Sequence, residues 1–322
     1  GKNNVVPFTM TSDVRWRASA LIESFVDPNL SDKERWINTV VERQYLLPGY
    51  KEGVRFLNKM YHEGLIDNQF ALYKDDTDSD NLIKMGVVGS FIHNWDQPYR
   101  DTPGLLRDLR QNVPDAEIVS IDPFQNAEGK TVKGLYDSAG VNFFVPAFSK
   151  NVEGALRYIN WLSKFENRSY LQLGDEGVTH VIENGVPKLI PAEGEKIMNS
   201  PQNIDYTIMI NGLDLGDEEL NVKAIASGYT VEPELVITAY ENAMRNGRPA
   251  IIVPVTLSAA GPYTQTLIDK GNELMARAIT AAPEEFDAVW DAGIEDWLNS
   301  GAREIIEERR LKYEEYEASL NN

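Results

Sequence analysis

Residues 50–70 read YKEGVRFLNKMYHEGLIDNQF, and this segment predicts an amphipathic helix that ends at a glycine. Its apolar residues recur at helical spacing and form one stripe: Tyr50, Val54, Leu57, Tyr61 and Leu65. Gly64 can adopt the left-handed backbone conformation that ends a helix, and Leu65 can then fold back on Met60. Asp67 next turns the chain. We therefore expect a surface helix that is closed by glycine and docked on a core.

Around this helix, strands and further helices alternate, which indicates an α/β architecture. An apolar run at residues 87–92 predicts a short buried strand, and 116–124 and 138–146 predict two more. NVEGALRYINWLSKF, residues 151–165, predicts a second amphipathic helix with Asn151 as its N-terminal cap. Residues 283–320 are predicted to be helical, with these side chains facing inward: Phe286, Val289, Ile294, Trp297 and Leu298.

Length and composition describe a globular protein with a sizeable core. The chain has 322 residues, enough for about two ordinary domains or one large one. The formal net charge of −19 argues against nucleic acid or an anionic membrane surface as a partner, because both must be met by positive charge. Neutral ligands such as sugars, or cationic ligands, fit this charge better. The absence of cysteine excludes a disulfide framework, a thiolate zinc site and a cysteine nucleophile.

Signals for catalysis are poor. The histidines are His62, His93 and His180, and none stands in an HExxH pattern. No GxSxG, Walker loop or strand-linked GxGxxG is present. Fifty acidic residues make a chance carboxylate pair uninformative. We therefore expect a protein that is not an enzyme and that needs no cofactor.

The segment HNWDQPY, residues 93–99, has the ingredients of a sugar site. Trp95 follows the predicted strand at 87–92 and is flanked by Asn94 and Asp96, with Tyr99 close behind. An aromatic ring stacks on the apolar C–H face of a pyranose, while amide and carboxylate groups bind its hydroxyls. The residues alone leave a second interpretation equally open, in which Trp95 simply fills core.

Two other segments offer weaker candidates for the same site. Trp16 lies in SDVRWRAS, where a core position explains it better than a ligand contact does. Tyr136 and Asp137 lie in KGLYDSAGV, before a glycine-bearing strand; they face either a cleft or an ordinary turn.

The order of these segments resembles the family 1 extracellular solute-binding proteins of ABC importers, in particular their long lipoprotein branch. EGVRFLNKMYHEGLID is similar to that family's helix with its Glu-Gly-Leu-Ile-Asp signature. KMGVVGSFIHNW is similar to its glycine-bearing strand that leads to a tryptophan. PDAEIVSIDPFQNAEGK is similar to its hinge strand, and SKNVEGALRYINWL to a helix over one lobe.

The resemblance implies a periplasmic-binding-protein-like fold of type II, with two α/β lobes, hinge crossings and a helical C-terminus. Residues 1–118 would form the first part of the main lobe, 119–160 the hinge strands and elements of the other lobe, and 161–322 the return to the main lobe. Trp95 would stack on a pyranose between the lobes, with Asp96 and Tyr136 as lesser contacts. The monomeric protein would hand an oligosaccharide to an ABC permease from the cell surface.

Two departures from the family pattern qualify this expectation. Full members extend further at the N-terminus, so the first lobe is expected to be incomplete here, with the signal peptide and lipid anchor outside this chain. GKNNVVPF is similar to the tail of a calcium-loop-like stretch, but Asn3 and Asn4 stand where acids are usual, so no metal is predicted. Two alternatives to an importer stay open: a carbohydrate-active hydrolase or lyase, and a surface binding protein without a transport role.

Overall fold

The computed structural model describes residues 5–100, 102–121, 125, 128–129, 133–135, 143–190, 215–227, 229–245 and 247–320. Within these residues the structure is rich in helix and has two small sheets. The strands are β1 (Val6–Thr9), β2 (Val88–Phe91), β3 (His180–Glu183) and β4 (Val186–Leu189). The helices are α1 (Val14–Glu23), α2 (Asp32–Asn38), α3 (Tyr50–His62), α4 (Asp76–Lys84), α5 (Leu105–Asn112), α6 (Val152–Leu162), α7 (Phe165–Leu173), α8 (Glu218–Ser227), α9 (Pro233–Met244), α10 (Ala260–Thr280), α11 (Phe286–Trp297) and α12 (Arg303–Leu320).

Helix α3 ends as its sequence predicts. Gly64 has a φ of 71°, the Leu65 amide donates to the Met60 carbonyl at 2.9 Å, and the Gly64 amide donates to the Tyr61 carbonyl at 3.0 Å. These two bonds form a Schellman motif, which satisfies carbonyls that the end of a helix leaves without partners. The expected fold-back of Leu65 on Met60 is confirmed.

The chain then enters a parallel sheet immediately. β1 and β2 pair in parallel, with Phe8 opposite Ser90, and Ile66 forms a parallel bridge to the other side of Phe8. The Asp67 side chain ends this short segment by accepting bonds from the Gln69 amide at 3.0 Å and the Tyr73 hydroxyl at 2.7 Å. The Gly-Leu-Ile-Asp sequence therefore closes a helix, adds an edge to the sheet and makes a turn.

The larger hydrophobic core joins both ends of the chain. It lies among β1, α1, α3, α10 and α11. Gly53 lets α3 approach α1, because a Cβ there would lie 2.6 Å from the Ile22 carbonyl oxygen. Asn58 donates its side-chain amide to the carbonyls of Ala278, Ile279 and Ala281 at the end of α10. The helix of residues 50–62 is thus docked on a core, as expected.

A second, smaller core lies under the residues that follow β2. Its buried members are Tyr99, Leu106, Leu109, Ala226, Val236 and Ala239, from the 97–109 region and helices α8 and α9. Residues from both halves of the chain contribute to each of the two hydrophobic cores, and the mixture of helices and strands agrees with the expected α/β class.

Several local expectations can be compared with the described residues. Asn151 caps α6 by accepting from the Gly154 amide at 3.0 Å, as predicted. The predicted C-terminal helices are present as α11 and α12, with Phe286 and Trp297 fully buried. Trp290, which the prediction left out, is buried with them. The turn at Leu298–Ala302 separates the two helices, and Gly301 there has a φ of 117°.

Other strand predictions need correction. Residues 116–121 are not in a strand, and most of 138–146 lies outside the described residues. β2 is not buried as predicted, since Gly89 and Ser90 are exposed while Val88 and Phe91 are half-buried. The antiparallel pair of β3 and β4 was missed, although its Asn184-Gly185 turn, with positive φ at both residues, is a strong hairpin signal.

Candidate ligand-binding site

The candidate site lies at the carboxyl ends of β1 and β2. The two strands are parallel, so these ends share one edge of the sheet. From there β1 leads into the start of α1, and β2 leads into the loop of residues 92–96. In open α/β folds, ligands bind in the crevice outside this edge of the sheet. Topology therefore brings together two segments that the sequence analysis named separately.

Trp16 lies against this loop. Its indole meets the His93 imidazole edge-on, with ring centroids 6.1 Å apart and an interplanar angle of 85°. The Asp13 side chain caps α1 by accepting from the Trp16 amide at 3.3 Å, so the tryptophan is held in the first turn of the helix. Trp16 is half-buried. The structure thus places a tryptophan from the first helix next to the segment that carries Trp95.

A cluster of charged residues, formed by Arg17 with Asp76 and Asp80, packs against the loop at His93. The Arg17 guanidinium is fully buried and lies 3.0 Å from an Asp76 oxygen and 3.7 Å from an Asp80 oxygen. His93 Nδ1 accepts from the Asn94 amide at 2.8 Å, which leaves the ring proton on Nε2, 3.6 Å from Asp76 Oδ2. Burial, with help from the Arg17 charge, lowers the pKa of His93 to about 3. The neutral imidazole therefore packs between α4 and the loop.

Trp95 lies where the loop leaves the larger core and reaches the smaller one. It is half-buried and packs against the smaller core. Its ring meets Tyr240 of α9 edge-on, with centroids 5.3 Å apart. The indole is therefore not enclosed on every side, and it lies between elements of the two cores.

Asp96 is committed to protein partners. Its two oxygens accept from Arg100 Nε at 2.8 Å and Nη2 at 2.9 Å, and Oδ2 also accepts from the Tyr229 hydroxyl at 2.9 Å. Burial, and then the Asp96 charge, raises the pKa of Tyr229. This network fixes the loop onto the smaller core. Asp96 therefore positions the loop, and its role as a ligand contact stays a prediction.

The remaining candidates differ in their placement. Tyr99 is 2% exposed in the smaller core and its hydroxyl donates to the Ile118 carbonyl at 3.2 Å. Asn94 is half-buried, and its backbone holds the loop by accepting from the Gln97 amide at 3.2 Å. Tyr136 lies outside the described residues.

A cavity of about 500 Å³ begins beside Trp16, at Asp13 and Arg15. Ligand pockets of this size are common in proteins. Neither Trp16 nor Trp95 lines it directly. Its wall consists of charged, amide, hydroxyl and aliphatic side chains: Asp13, Arg15, Val41, Glu42, Arg43, Thr264, Ile268 and Asn272. The polar side chains among them are suited to hydrogen bonds with sugar hydroxyls.

One wall of this cavity is a strained turn. Val41 and Glu42 have φ values of 49° and 58°, which is unfavourable for residues other than glycine. The turn is held by the Arg43 amide donating to the Val40 carbonyl at 2.8 Å, and by an ion pair of 3.1 Å between Arg15 and Glu42. Strain of this kind is concentrated at functional sites. Sequence analysis missed this wall, because only the SDVRWR segment gave a signal.

The described residues were also compared with the requirements of a metal site and of a membrane-spanning helix. Among these residues, no three or more acidic or histidine side chains come together in a way that could hold a metal ion. No helix in the described part of the chain combines the length and the apolar character needed to cross a bilayer.

Comparison with known proteins begins with sequence. No protein-family model matches the chain. An uncharacterized protein encoded in the butB 5′ region of Niallia circulans is 26% identical over 136 residues, which is 42% of this chain. The chain matches 50% of the length of that relative.

Comparison of structures covers almost the whole chain. The crystal structure of the alginate-binding protein AlgQ2 without calcium ion has a TM-score of 0.54 and 16% identity, over 97% of this chain and 64% of that one. The N-glycan transport solute binding protein NgtS of Streptococcus pneumoniae has a TM-score of 0.48 and 15% identity, over 98% of this chain and 64% of that one. The chain therefore shares the overall fold of AlgQ2 and spans about two thirds of its length.

Proposed function

We propose that this chain belongs to the extracellular solute-binding component of an ABC importer and captures an oligosaccharide. The observation that carries the proposal is the pair of half-buried tryptophans, Trp16 and Trp95, on the segments that follow the carboxyl ends of β1 and β2. The fold supports it, because the structural relative AlgQ2 bears the name of an alginate-binding protein.

The chemistry of a sugar ligand fits these residues. Indole rings bind the C–H face of a pyranose, and the cavity beside Trp16 has polar side chains for its hydroxyls, among them Asp13, Arg15 and Asn272. Asp96, Arg100 and Tyr229 hold the Trp95 loop in place. Recognition of this type needs a rigid frame around the aromatic rings, which the buried Arg17 cluster provides on the other side of the loop.

The biological setting follows from the same proposal. The ligand would pass to an ABC permease in the membrane, and the protein itself would carry out no reaction. We place it outside the cell as a monomer, held at the surface by a lipid anchor on a preceding segment. We also propose two lobes that close on the ligand, with residues 119–160 in the hinge region and the first lobe completed by sequence outside this chain.

The test is a melting-temperature screen of the purified chain against neutral and acidic oligosaccharides. Because a ligand that binds only the folded state raises the melting temperature, at least one oligosaccharide should give an increase that grows with the logarithm of its concentration. Trp95→Ala should abolish that increase. Trp161→Ala is the matched control, since this tryptophan is 42% exposed on α6 and stacks on Tyr158.

The outcomes separate the function from the site. If no saccharide in a broad panel raises the melting temperature, the proposed function fails. If a saccharide binds and Trp95→Ala binds it as well as the unchanged chain does, the function stands and the position of the site is wrong.

A further inference from the structure

A second cavity, of about 300 Å³, lies at the other end of α1. Glu23 enters it from the C-terminal end of α1, Arg35 and Trp36 from α2, and Arg309 from α12. Residues 248–251 close one side, and Arg248 is held there by a parallel bridge to Gly134. The cavity is separate from the tryptophan site, which lies at the start of α1.

The charge in this cavity is opposite to that of the protein as a whole. Three guanidinium groups line it, from Arg35, Arg248 and Arg309, against the single carboxylate of Glu23. Among the described residues, none of the three arginines forms an ion pair with a carboxylate. The chain as a whole has a net charge of −19, yet this cavity concentrates positive charge. The three arginines come from segments that are distant in the sequence.

Two of the three arginines, Arg309 and Arg35, are held in place by neutral groups. Arg309 Nε donates to the Trp36 carbonyl at 2.7 Å, and its guanidinium stacks on the Trp36 ring 3.9 Å from the centroid. Arg35 Nη2 donates to the Asp27 carbonyl at 2.7 Å. No described residue accepts a hydrogen bond from Nη1 or Nη2 of Arg309. These donors are therefore pre-positioned without a counter-charge.

Arg35 is buried, whereas Arg248 and Arg309 are partly exposed. Burial lowers the pKa of Arg309 to about 10, with no opposing carboxylate. Burial also lowers the pKa of Arg35, and the nearby charge of Arg248 lowers it further. Positive charge that is partly withdrawn from water and has no carboxylate partner favours the binding of an anion. Arginine presents planar pairs of donors that match carboxylate, sulfate and phosphate oxygens.

We propose that this cavity binds the oxyanion group of a small solute, a carboxylate, sulfate or phosphate, with Arg248 and Arg309 as the direct contacts. Arg35 adds positive charge from the side. The cavity is large enough for a small solute beyond the anionic group itself. The site stands on its own residues and does not depend on Trp16 or Trp95.

Glu23 gives the site a pH dependence. Burial raises the pKa of Glu23 to about 7, while Arg248 and Arg35 lower it. The charged groups around it are Arg35, Arg248 and Arg309, with Asp27 and Asp32 acting on Arg35. A bound oxyanion repels the charged form of Glu23. Binding therefore takes up a proton, and the affinity falls as the pH rises through about 7.

The experiment is calorimetric titration of the whole chain with sodium sulfate, sodium glucuronate and glucose, at an ionic strength held constant with sodium chloride. We expect saturable binding of sulfate or glucuronate and none of glucose. Arg248→Gln should weaken binding about tenfold to hundredfold, as expected for a lost charge-assisted hydrogen bond. Arg157→Gln, which changes an exposed arginine paired with Glu153 on α6, should leave binding unchanged.

Two further variants sharpen the test. Glu23→Gln should bind the oxyanion more tightly above pH 7 and lose the pH dependence. Trp95→Ala should bind it normally, which separates this site from the proposed sugar site. Binding of glucuronate but not sulfate would identify a carboxylate carried by a sugar, and binding of both would identify a general oxyanion site. Absence of saturable binding, or equal binding by Arg248→Gln and the unchanged chain, would overturn the proposal.

Discussion

Replacing Asn58 should weaken the contact between helices α3 and α10. The Asn58 side chain is 3% exposed, and its Nδ2 atom lies 3.1, 3.0 and 2.8 Å from the carbonyl oxygens of Ala278, Ile279 and Ala281. The last carbonyls of a helix have no partner within the helix. Asn58 therefore supplies donors that the end of α10 cannot supply itself.

The magnitude follows from the bonds that are lost. The two N–H groups of Asn58 each contribute about 1 kcal/mol net, and a buried carbonyl left without a partner costs about 1–3 kcal/mol. Asn58→Ala should therefore lower the free energy of unfolding by about 2–4 kcal/mol. That is a large fraction of the roughly 5–15 kcal/mol that is typical of folded domains. Asn58→Asp keeps the shape but turns an oxygen toward the carbonyls, so it should destabilise the protein at least as much at neutral pH.

The assay is urea denaturation followed by circular dichroism, with the midpoint compared at an unchanged m value. Asn38→Ala is the matched control, because the Asn38 amide donates at 2.9 Å to the Glu34 carbonyl within α2 in a solvent-exposed hydrogen bond. The control should lose no more than about 0.5 kcal/mol. If Asn58→Ala loses as little as Asn38→Ala, the reasoning that joins α3 to α10 through this amide is refuted.

Two further predictions concern packing and pH. Gly53→Ala should cost about 1–3 kcal/mol, because its Cβ would lie 2.6 Å from the Ile22 carbonyl oxygen. Gly261→Ala, with open space around its Cβ, should cost nothing; equal melting temperatures for the two variants would contradict this. For His93, the pKa is about 3 in the folded protein and 6.5 in the unfolded chain, so the unfolded state binds more protons in between and stability falls as the pH falls. From pH 7 to 5 this loss is about 2 kcal/mol, and His93→Gln should remove it in urea titrations at the two pH values; an unchanged loss would show that His93 is not buried as described.

Local features could be predicted because their causes lie within a few residues. The end of α3 at Gly64 needs a left-handed residue followed by an apolar one, and both are adjacent in the sequence. The same holds for Asn151 at the start of α6. The strand at residues 116–124 was wrong over its described part because a short apolar run is ambiguous, and only neighbouring strands decide whether it enters a sheet.

The candidate site was predictable only in part. Residue type and position after a strand made Trp95 a candidate, whereas a core position was the better explanation for Trp16; both stay predictions as ligand contacts. Nothing in those segments shows that Asp96 is bound by Tyr229, 133 positions away, or that the Tyr99 hydroxyl is bonded to the Ile118 carbonyl. Partners so distant in sequence are set by how helices pack, which residue spacing does not encode.

The sequence by itself determined the α/β class, the glycine-closed helix α3 and the helical C-terminus, because periodicity and capping act over one or two turns. The tertiary structure alone decided which polar groups remain for a ligand. It used the carboxylate of Asp96 to fix a loop, and it gathered Arg35, Arg248 and Arg309 around one cavity. The physical reason is that charge and burial depend on distances through space, and in this fold those distances join residues more than two hundred positions apart.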